Sequence, residues 1–149
     1  ADDTTNGTFS DTINITTVAL PSSTGGIILN GTFEDATNLT LVGSGLSIVA
    51  NELKYIDSGT ATVDFALTGN LTGGNSYTFE FEVTSGTARL RAWFLNGAVE
   101  EGTTAGYDNY SVGVHTVTDI PSVDMDGFRL YFSLSSLDCT VDNVSLIKV

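Results

Sequence analysis

Apolar and polar residues alternate along most of this chain. The segment Tyr77–Val83 shows the pattern clearly, because aromatic or aliphatic residues occupy every second position and Glu80 and Glu82 lie between them. Successive side chains of a β-strand point to opposite faces of a sheet, so such a segment predicts a strand with one buried and one exposed face. No window sustains apolar residues at the helical spacing of three and four. The pattern therefore predicts an all-β protein.

Turn-forming residues divide this pattern into short segments. Gly, Asn, Asp or Ser bounds each apolar stretch at intervals of about 8–12 residues, which is typical of a sandwich or a barrel. The predicted strands are 26–33, 38–42, 46–50, 52–57, 61–67, 76–83, 88–95, 107–118, 127–134 and 139–147.

The alternation also assigns the inward and outward faces of two further predicted strands. Core positions are predicted at Leu90, Ala92, Phe94, Phe128, Leu130, Phe132 and Leu134. Outward positions are predicted at Arg89, Arg91, Trp93, Arg129, Tyr131 and Ser133. The only tryptophan and three of the five cations are therefore expected on outer sheet faces.

The first 25 residues differ from the rest of the chain. They carry few large apolar side chains and lead into a Pro-Ser-Ser-Thr-Gly-Gly linker, so we expect an extended N-terminal arm at 1–25 and a β-sandwich at 26–149. Residues 9–18 could form one strand if a sheet edge is available. A disordered tail, docking on its own domain and pairing with a neighbouring subunit all remain open. Residues 6–16 also resemble 30–40, by coincidence or as a mimic of the first strand.

Composition and charge narrow the function classes. Charged residues make up 15% of the chain, against about 25% for an average soluble domain, while 22 threonines and 16 glycines supply a hydroxyl- and amide-rich surface. The net charge of −13 opposes binding to nucleic acid or to anionic membranes. No apolar stretch approaches the 18 residues of a membrane helix, so membrane insertion is not expected. Since Cys139 is the only cysteine, an intrachain disulfide and a cysteine zinc cluster are excluded.

The residue types needed for catalysis do not form a convincing set. His115 is the only histidine, and no Gly-x-Ser-x-Gly motif accompanies it. Glu80 and Glu82 stand two apart on one strand face, where they cannot straddle a glycosidic bond. We therefore expect no catalytic residues and no enzymatic activity.

Several segments together resemble carbohydrate-binding modules of the family 4/9/22 type. The similar segments are Asn30–Glu34, Tyr77–Gly86, Ala88–Ala92, Gly127–Phe132 and Val141–Leu146. The resemblance implies a jelly-roll β-sandwich of two antiparallel sheets, with a concave sheet face that receives a glycan and a structural calcium near the chain ends. Modules of this kind are appended to polysaccharidases and recur in phage virion proteins.

By this resemblance, the calcium ligands would be Glu34 and Asp142, with backbone carbonyls completing the shell. Carboxylate and carbonyl oxygens suit Ca²⁺, which takes six to eight ligands. Asp35 and Asp138 are near in sequence and could substitute. The alternative is that Glu34 and Asp142 are ordinary turn residues.

A glycan site needs aromatic rings for sugar C–H faces and planar polar groups for hydroxyls. The candidate ligand-binding residues are Trp93, Tyr131, Arg91, Arg129, Glu80 and Glu82. The alternative is that the glutamates and arginines form cross-strand ion pairs on a solvated sheet. The single tryptophan and an acidic loop at Gly97–Tyr110, with Glu100 and Glu101, depart from the family pattern.

The leading hypothesis is a non-catalytic structural or interaction module on a virion or extracellular surface, of the phage capsid-decoration or tail-surface type. No catalytic domain is expected beside the module, and the arm would join it to itself or to other structural subunits. One alternative is a glycan-binding module of a secreted polysaccharide-degrading system. The other is a filament subunit in which residues 9–18 complete the next subunit's sheet.

Overall fold

Strands account for all the regular secondary structure in the parts of the chain that are described. The computed structural model describes residues 27–28, 31–56, 59–97, 99–102, 108–133 and 138–149. The strands are β1 (Leu39–Val42), β2 (Leu46–Val49), β3 (Glu52–Tyr55), β4 (Ala61–Phe65), β5 (Tyr77–Gly86), β6 (Ala88–Asn96), β7 (Val99–Gly102), β8 (Asp108–Tyr110), β9 (Gly113–Asp119), β10 (Gly127–Phe132) and β11 (Cys139–Lys148). Within these ranges there is no helix that could span a membrane.

The strands form two antiparallel sheets packed face to face. One is six-stranded. Five of its strands follow the order β1-β4-β10-β6-β7, and the sixth, β8, pairs with the first half of β6 on the same edge as β7. The other is five-stranded, in the order β2-β3-β11-β5-β9. Every recorded strand pair is antiparallel. The prediction of an all-β sandwich of two antiparallel sheets is confirmed.

The core is a layer of aromatic and aliphatic side chains between the sheets. Phe79 of β5 meets Phe128 of β10 with ring centroids 4.8 Å apart, and Tyr55 of β3 stacks on Phe132 of β10 at 5.2 Å. Both contacts join one sheet to the other. The alternation in β5, β6 and β10 is confirmed, because the predicted inward residues that are described are at most 3% exposed. Burial of this layer removes apolar area from water and supplies the main stabilising term.

One predicted outward residue of β10 is buried instead. Ser133, just beyond the end of the strand, is 8% exposed. Its amide donates to the Arg89 carbonyl at 3.0 Å, and its own carbonyl accepts from the Tyr55 hydroxyl at 3.3 Å. Backbone pairing at the strand end draws Ser133 inward, and its small side chain fits there. Leu134, the last predicted core residue of this segment, lies outside the described residues.

Two of the strand predictions are wrong. Residues 31–33, predicted as part of the first strand, form a turn, and Phe33 has a left-handed φ of 48°. The predicted strand 107–118 is two strands, since β8 pairs in the six-stranded sheet and β9 in the five-stranded one. Alternation fails between them, because Tyr110 packs against the core whereas Val112 and Val114 are exposed. The crossing between the sheets occurs at residues 111–112.

The region 97–110, predicted as a loop, contains a strand that the sequence pattern missed. β7 extends the edge of β6 by pairing with its second half. Its sequence, Val-Glu-Glu-Gly, carries little apolar signal, because an edge strand buries few side chains. The predicted arm at 1–25 lies outside the described residues and stays a prediction.

A close backbone contact ties the opening turn to the last strand. The Val144 amide donates to the Gly31 carbonyl at 2.8 Å, and a Cβ built on Gly31 would lie 1.8 Å from the Val144 carbonyl oxygen. The turn then places Phe33, which is fully buried, in the core beside Phe65 at 6.0 Å. Only glycine fits at position 31.

We expect Gly31→Ala to destabilise the fold by about 2 kcal/mol, because the new methyl group overlaps backbone that belongs to a central strand. Gly69→Ala is the matched control, since a Cβ there meets nothing within 4 Å, and its effect should stay within about 0.5 kcal/mol. Urea unfolding measures both. Equal stability of the two variants would contradict the contact.

Cys139 supplies a second test of the packing. It is 2% exposed, and burial raises the pKa of its thiol to about 11. Because the folded-state pKa is raised above the ordinary value of 9.0, the protonated thiol persists well above pH 8, and stability is lost as the pH rises from about 9 through about 11. We expect no reaction with a thiol-specific disulfide reagent at pH 8 in the native protein, and stoichiometric reaction in guanidinium. Rapid labelling without denaturant would show that this end of β11 opens.

Candidate functional site

Four side chains form a cluster in the middle of the outer face of the six-stranded sheet. Cross-strand pairing of β6 with β10 places Arg91 opposite Tyr131 and Trp93 opposite Arg129. Directly opposed residues of an antiparallel pair point to the same face, so two arginines and two aromatic rings alternate in a square. We call these four residues the arginine–aromatic quartet. All four are partly exposed.

The two aromatic rings of the quartet touch each other and share one guanidinium. The ring centroids of Trp93 and Tyr131 lie 5.2 Å apart at an interplanar angle of 57°. The Arg91 Cζ atom is 4.3 Å from the Trp93 centroid and 4.7 Å from the Tyr131 centroid. These distances are well inside the range of a cation–π contact. Arg91 therefore covers part of the surface that the aromatic pair presents.

Arg129 is held by carboxylates from two other strands. Its Nε and Nη2 donate to the two oxygens of Asp64 on β4, at 2.5 and 2.7 Å. Its Nη1 donates to Glu100 on β7 at 2.6 Å. The side chains of Arg129, Asp64 and Glu100 are 24–30% exposed, so solvent screens these ion pairs only in part. The guanidinium is fixed by two-point recognition of Asp64.

Tyr131 belongs to the same hydrogen-bond network. Its hydroxyl donates to Glu100 at 2.6 Å and accepts from Arg129 at 3.1 Å. Burial, followed by the hydrogen bond with Glu100, raises the pKa of Tyr131. The hydrogen bond with Asp64, its largest cause, raises the pKa of Arg129 as well. Tyr131 therefore remains a neutral phenol and Arg129 a cation at any physiological pH.

Trp93 contains a polar atom that stays unpaired within the described residues. Its indole Nε1 is inaccessible to solvent and meets no hydrogen-bond acceptor there. A buried donor without a partner typically costs about 1–3 kcal/mol. Such groups are rare and call for an explanation in terms of water, a ligand or function. The side chain that carries this nitrogen belongs to the quartet.

The sequence-predicted site residues fall on two different faces. The structure brings Trp93, Arg91, Tyr131 and Arg129 together, but it places Glu80 and Glu82 on β5, in the middle of the five-stranded sheet. They point outward there, on the opposite side of the sandwich. Ion pairing of these glutamates with the quartet arginines, the structural alternative considered for them, is wrong. Glu82 instead accepts from the Asn143 side chain at 2.8 Å.

Two residues of the network were missed by the sequence analysis. Asp64 lies at an outward position of β4, between Val63 and Phe65, and this signal was available in the alternation. The pairing of Asp64 with Arg129 could not be predicted in this way, because the order of strands in a sheet does not follow their order in the sequence. Glu100 falls in a segment whose sequence predicts a loop, and a loop assigns no sheet face to its side chains.

The two candidate calcium ligands lie near the Gly31–Val144 contact. Glu34 is exposed in the opening turn. Asp142 is half-buried on β11, at the position directly opposite Glu82 of β5 in the strand register. Burial raises the pKa of Asp142, and the charges of Glu52 and Glu82 add to the increase. In the described ranges, no group of three or more Asp, Glu, His or Cys side chains has a geometry that could hold a metal. Calcium at Glu34 and Asp142 stays a prediction.

Comparison with known proteins identifies the architecture. No family model and no curated protein matches the sequence. Among solved structures, a family 4 carbohydrate-binding module aligns with a TM-score of 0.57 and 16% identity, covering 78% of this chain and 99% of the module. This chain has the jelly-roll fold of carbohydrate-binding modules.

Two larger proteins contain the same fold. One is the xylanase 10B of Clostridium thermocellum, as a CBM22-1–GH10 structure in complex with xylohexaose, at TM-score 0.60 and 16% identity. The other is the enzymatically active domain of tailspike protein 4 from bacteriophage CBA120, at TM-score 0.59 and 15% identity. Each alignment covers 83% of this chain, which spans 29% and 21% of those two structures. Identity at this level establishes the fold alone.

The Asp64–Arg129 ion pair should contribute measurably to stability. We expect Asp64→Asn to lower the free energy of unfolding by about 0.5–1.5 kcal/mol, because a two-point, partly buried carboxylate–guanidinium pair is lost. Glu80→Gln, on the exposed face of the other sheet, removes the same charge and should change stability by less than about 0.5 kcal/mol. Guanidinium chloride would screen the pair, so urea unfolding at low salt is the appropriate measurement. Indistinguishable midpoints for the two variants would contradict the assignment.

Proposed function

We propose that this chain is a non-catalytic module that binds glycans on the outer face of its six-stranded sheet. The observation that carries the proposal is the arginine–aromatic quartet. Trp93 and Tyr131 lie side by side on an outward face, at the centre of a sheet whose fold is that of carbohydrate-binding modules. Sugar rings present apolar C–H faces, which pack on aromatic rings, and hydroxyls, which pair with planar polar groups.

The backbone under the quartet favours a preformed site. β6 and β10 are neighbouring inner strands that bond to each other over six residue pairs, and their inward side chains are fixed in the core. Sites built on such strands hold their side chains more accurately than sites on loops. Asp64 and Glu100 fix Arg129 and Tyr131 further, so little ordering is needed when a ligand binds.

The carboxylates of this face support binding and not hydrolysis. A glycosidase places two carboxyl groups on either side of the scissile bond. Asp64 and Glu100 instead bind the same guanidinium, Asp64 through both oxygens and Glu100 through one. This arrangement supports a role in positioning Arg129.

The setting that we propose is an extracellular or virion surface. The sequence is rich in hydroxyl and amide side chains, and solved structures with this fold include parts of a xylanase and of a phage tailspike. Either a virion component or a secreted polysaccharide-degrading system fits a non-catalytic glycan-binding face. Attachment to other subunits through residues 1–25 and a structural calcium are further parts of the proposal.

Isothermal titration with xylohexaose and cellohexaose tests the glycan-binding face. We expect Trp93→Ala and Tyr131→Ala each to weaken binding at least about 10-fold, since each removes stacking area worth about 1.4 kcal/mol or more. Glu80→Gln should leave the affinity unchanged within about two-fold, because Glu80 lies on the other sheet. Affinity lost with Glu80 and retained without Trp93 would move the site to the five-stranded sheet. Binding of neither sugar, nor of insoluble xylan or cellulose, would overturn the proposal.

A further inference from the structure

We propose that the outer edge of β9 accepts residues 12–18 of a neighbouring copy of this chain as an additional antiparallel strand. We call this edge, formed by Gly113–Asp119, the acceptor edge. The contact gives a specific form to the proposed attachment through residues 1–25. It lies on the five-stranded sheet, so it is independent of the glycan-binding face on the other sheet.

β9 lacks the features that usually protect an edge strand. It ends the five-stranded sheet beside β5, and no described strand pairs with its other side. It is seven residues long, whereas the remaining edge strands β1, β2, β7 and β8 have three or four. Natural proteins keep edges short, charged or covered, because unpaired N–H and C=O groups pair readily with another strand. The outward row of β9, Val114, Thr116 and Thr118, carries no charge.

Apolar side chains remain uncovered on both faces of the acceptor edge. Val112, Val114 and Ile120 are each more than half exposed, at or beside the outward row. Val117 points toward the other sheet and packs against the core, but it is only partly buried. A strand added beside β9 would cover these side chains, and removal of apolar area from water favours its binding.

Residues 12–18 of the arm match this edge in composition and in charge. Six of the seven are β-branched, and Ile13 and Ile15 are spaced to point to one face, which favours a strand. None of the seven is charged. On the neighbouring strand β5, Glu80 and Glu82 face outward beside the outward row of β9. An uncharged strand is therefore accepted at an edge that would repel an acidic one.

The direction in which the chain enters the domain favours the arm of another copy. The Ile27 amide donates to the Leu146 carbonyl of β11. Gly31, further along the chain, is bonded to Val144, which precedes Leu146. The chain therefore enters antiparallel to β11, from the end of the sheet at which β9 ends. Its own arm would meet the end of β9 first and run parallel to it, and parallel pairing is slightly less stable per residue.

The arm and the acceptor edge are different surfaces, so the contact is heterologous. Each copy donates a strand at one place and accepts a strand at another. Such a contact closes into a ring or continues as a filament. We therefore expect association beyond the dimer.

Sedimentation velocity of the whole chain tests whether the arm drives this association. We expect wild type to form species larger than a monomer, with a mass that rises with concentration. Ile13→Asp combined with Ile15→Asp should weaken association at least about 10-fold, because two carboxylates would lie against an apolar edge. Ser22→Asp combined with Ser23→Asp is the matched control, since it adds the same charge to the arm outside residues 12–18. A monomer at every concentration, or equal association of the two double variants, would overturn the proposal.

Disulfide trapping tests the edge itself. Chains carrying Thr16→Cys and chains carrying Thr116→Cys are mixed under mild oxidation, and we expect a covalent pair of the two. A disulfide needs Cα atoms within about 7 Å of each other, so the link reports adjacent strands. Ser47→Cys on β2 is the matched control, because it replaces a hydroxyl residue at the opposite edge of the same sheet. The native Cys139 is buried and does not compete.

The register of the added strand is covered by two further donors. Asn14→Cys and Val18→Cys move the donor cysteine by two residues along the same face. No link from any donor to Thr116→Cys, or an equal link to Ser47→Cys, would overturn the acceptor edge. A disulfide that forms only within one chain carrying both Thr16→Cys and Thr116→Cys would overturn the neighbouring copy in favour of the chain's own arm.

The acceptor edge and the glycan-binding function fail separately. Titration of the Ile13→Asp and Ile15→Asp double variant with xylohexaose should give the wild-type affinity, because the quartet lies on the other sheet. Sugar binding by a protein that stays monomeric overturns the acceptor edge alone. Association of a protein that binds no sugar overturns the glycan-binding function alone.

Discussion

The contact between the two sheets determines everything else in this molecule. Phe79 against Phe128 and Tyr55 against Phe132 join strands that are far apart in the sequence. These contacts require that each strand direct alternate residues inward. The residues between them must then face outward. The arginine–aromatic quartet is therefore a consequence of core packing. Trp93 points outward because Ala92 and Phe94 point inward.

This dependence explains how far the sequence could be interpreted. Alternation within one strand assigns its two faces, so the outward positions of Arg91, Trp93, Arg129 and Tyr131 were predictable. It cannot assign a strand to a sheet, because that depends on non-local pairing. For this reason the alternation groups Glu80 with residues that lie on the opposite side of the sandwich.

Local breaks in the pattern were harder to predict. The turn at Gly31 requires a glycine because the Val144 carbonyl of β11 lies beside it. The residues near position 31 give no indication of this contact, because Val144 is distant in the sequence. The division of 107–118 between two sheets has a similar cause. Val112 and Val114 are apolar but exposed, so residue type alone favoured a single strand.

That division has a geometric consequence for the sandwich. Two residues, 111 and 112, link Tyr110 in one sheet to Gly113 in the other. Three successive Cα–Cα steps span at most roughly 11 Å, which is close to the usual separation of about 10 Å between packed sheets. The link is thus short, and it crosses at the same end of the sandwich as Thr87, the single residue between β5 and β6. This end of the sandwich is therefore closed by two chain crossings, so lengthening one of them would leave the two layers joined by the other.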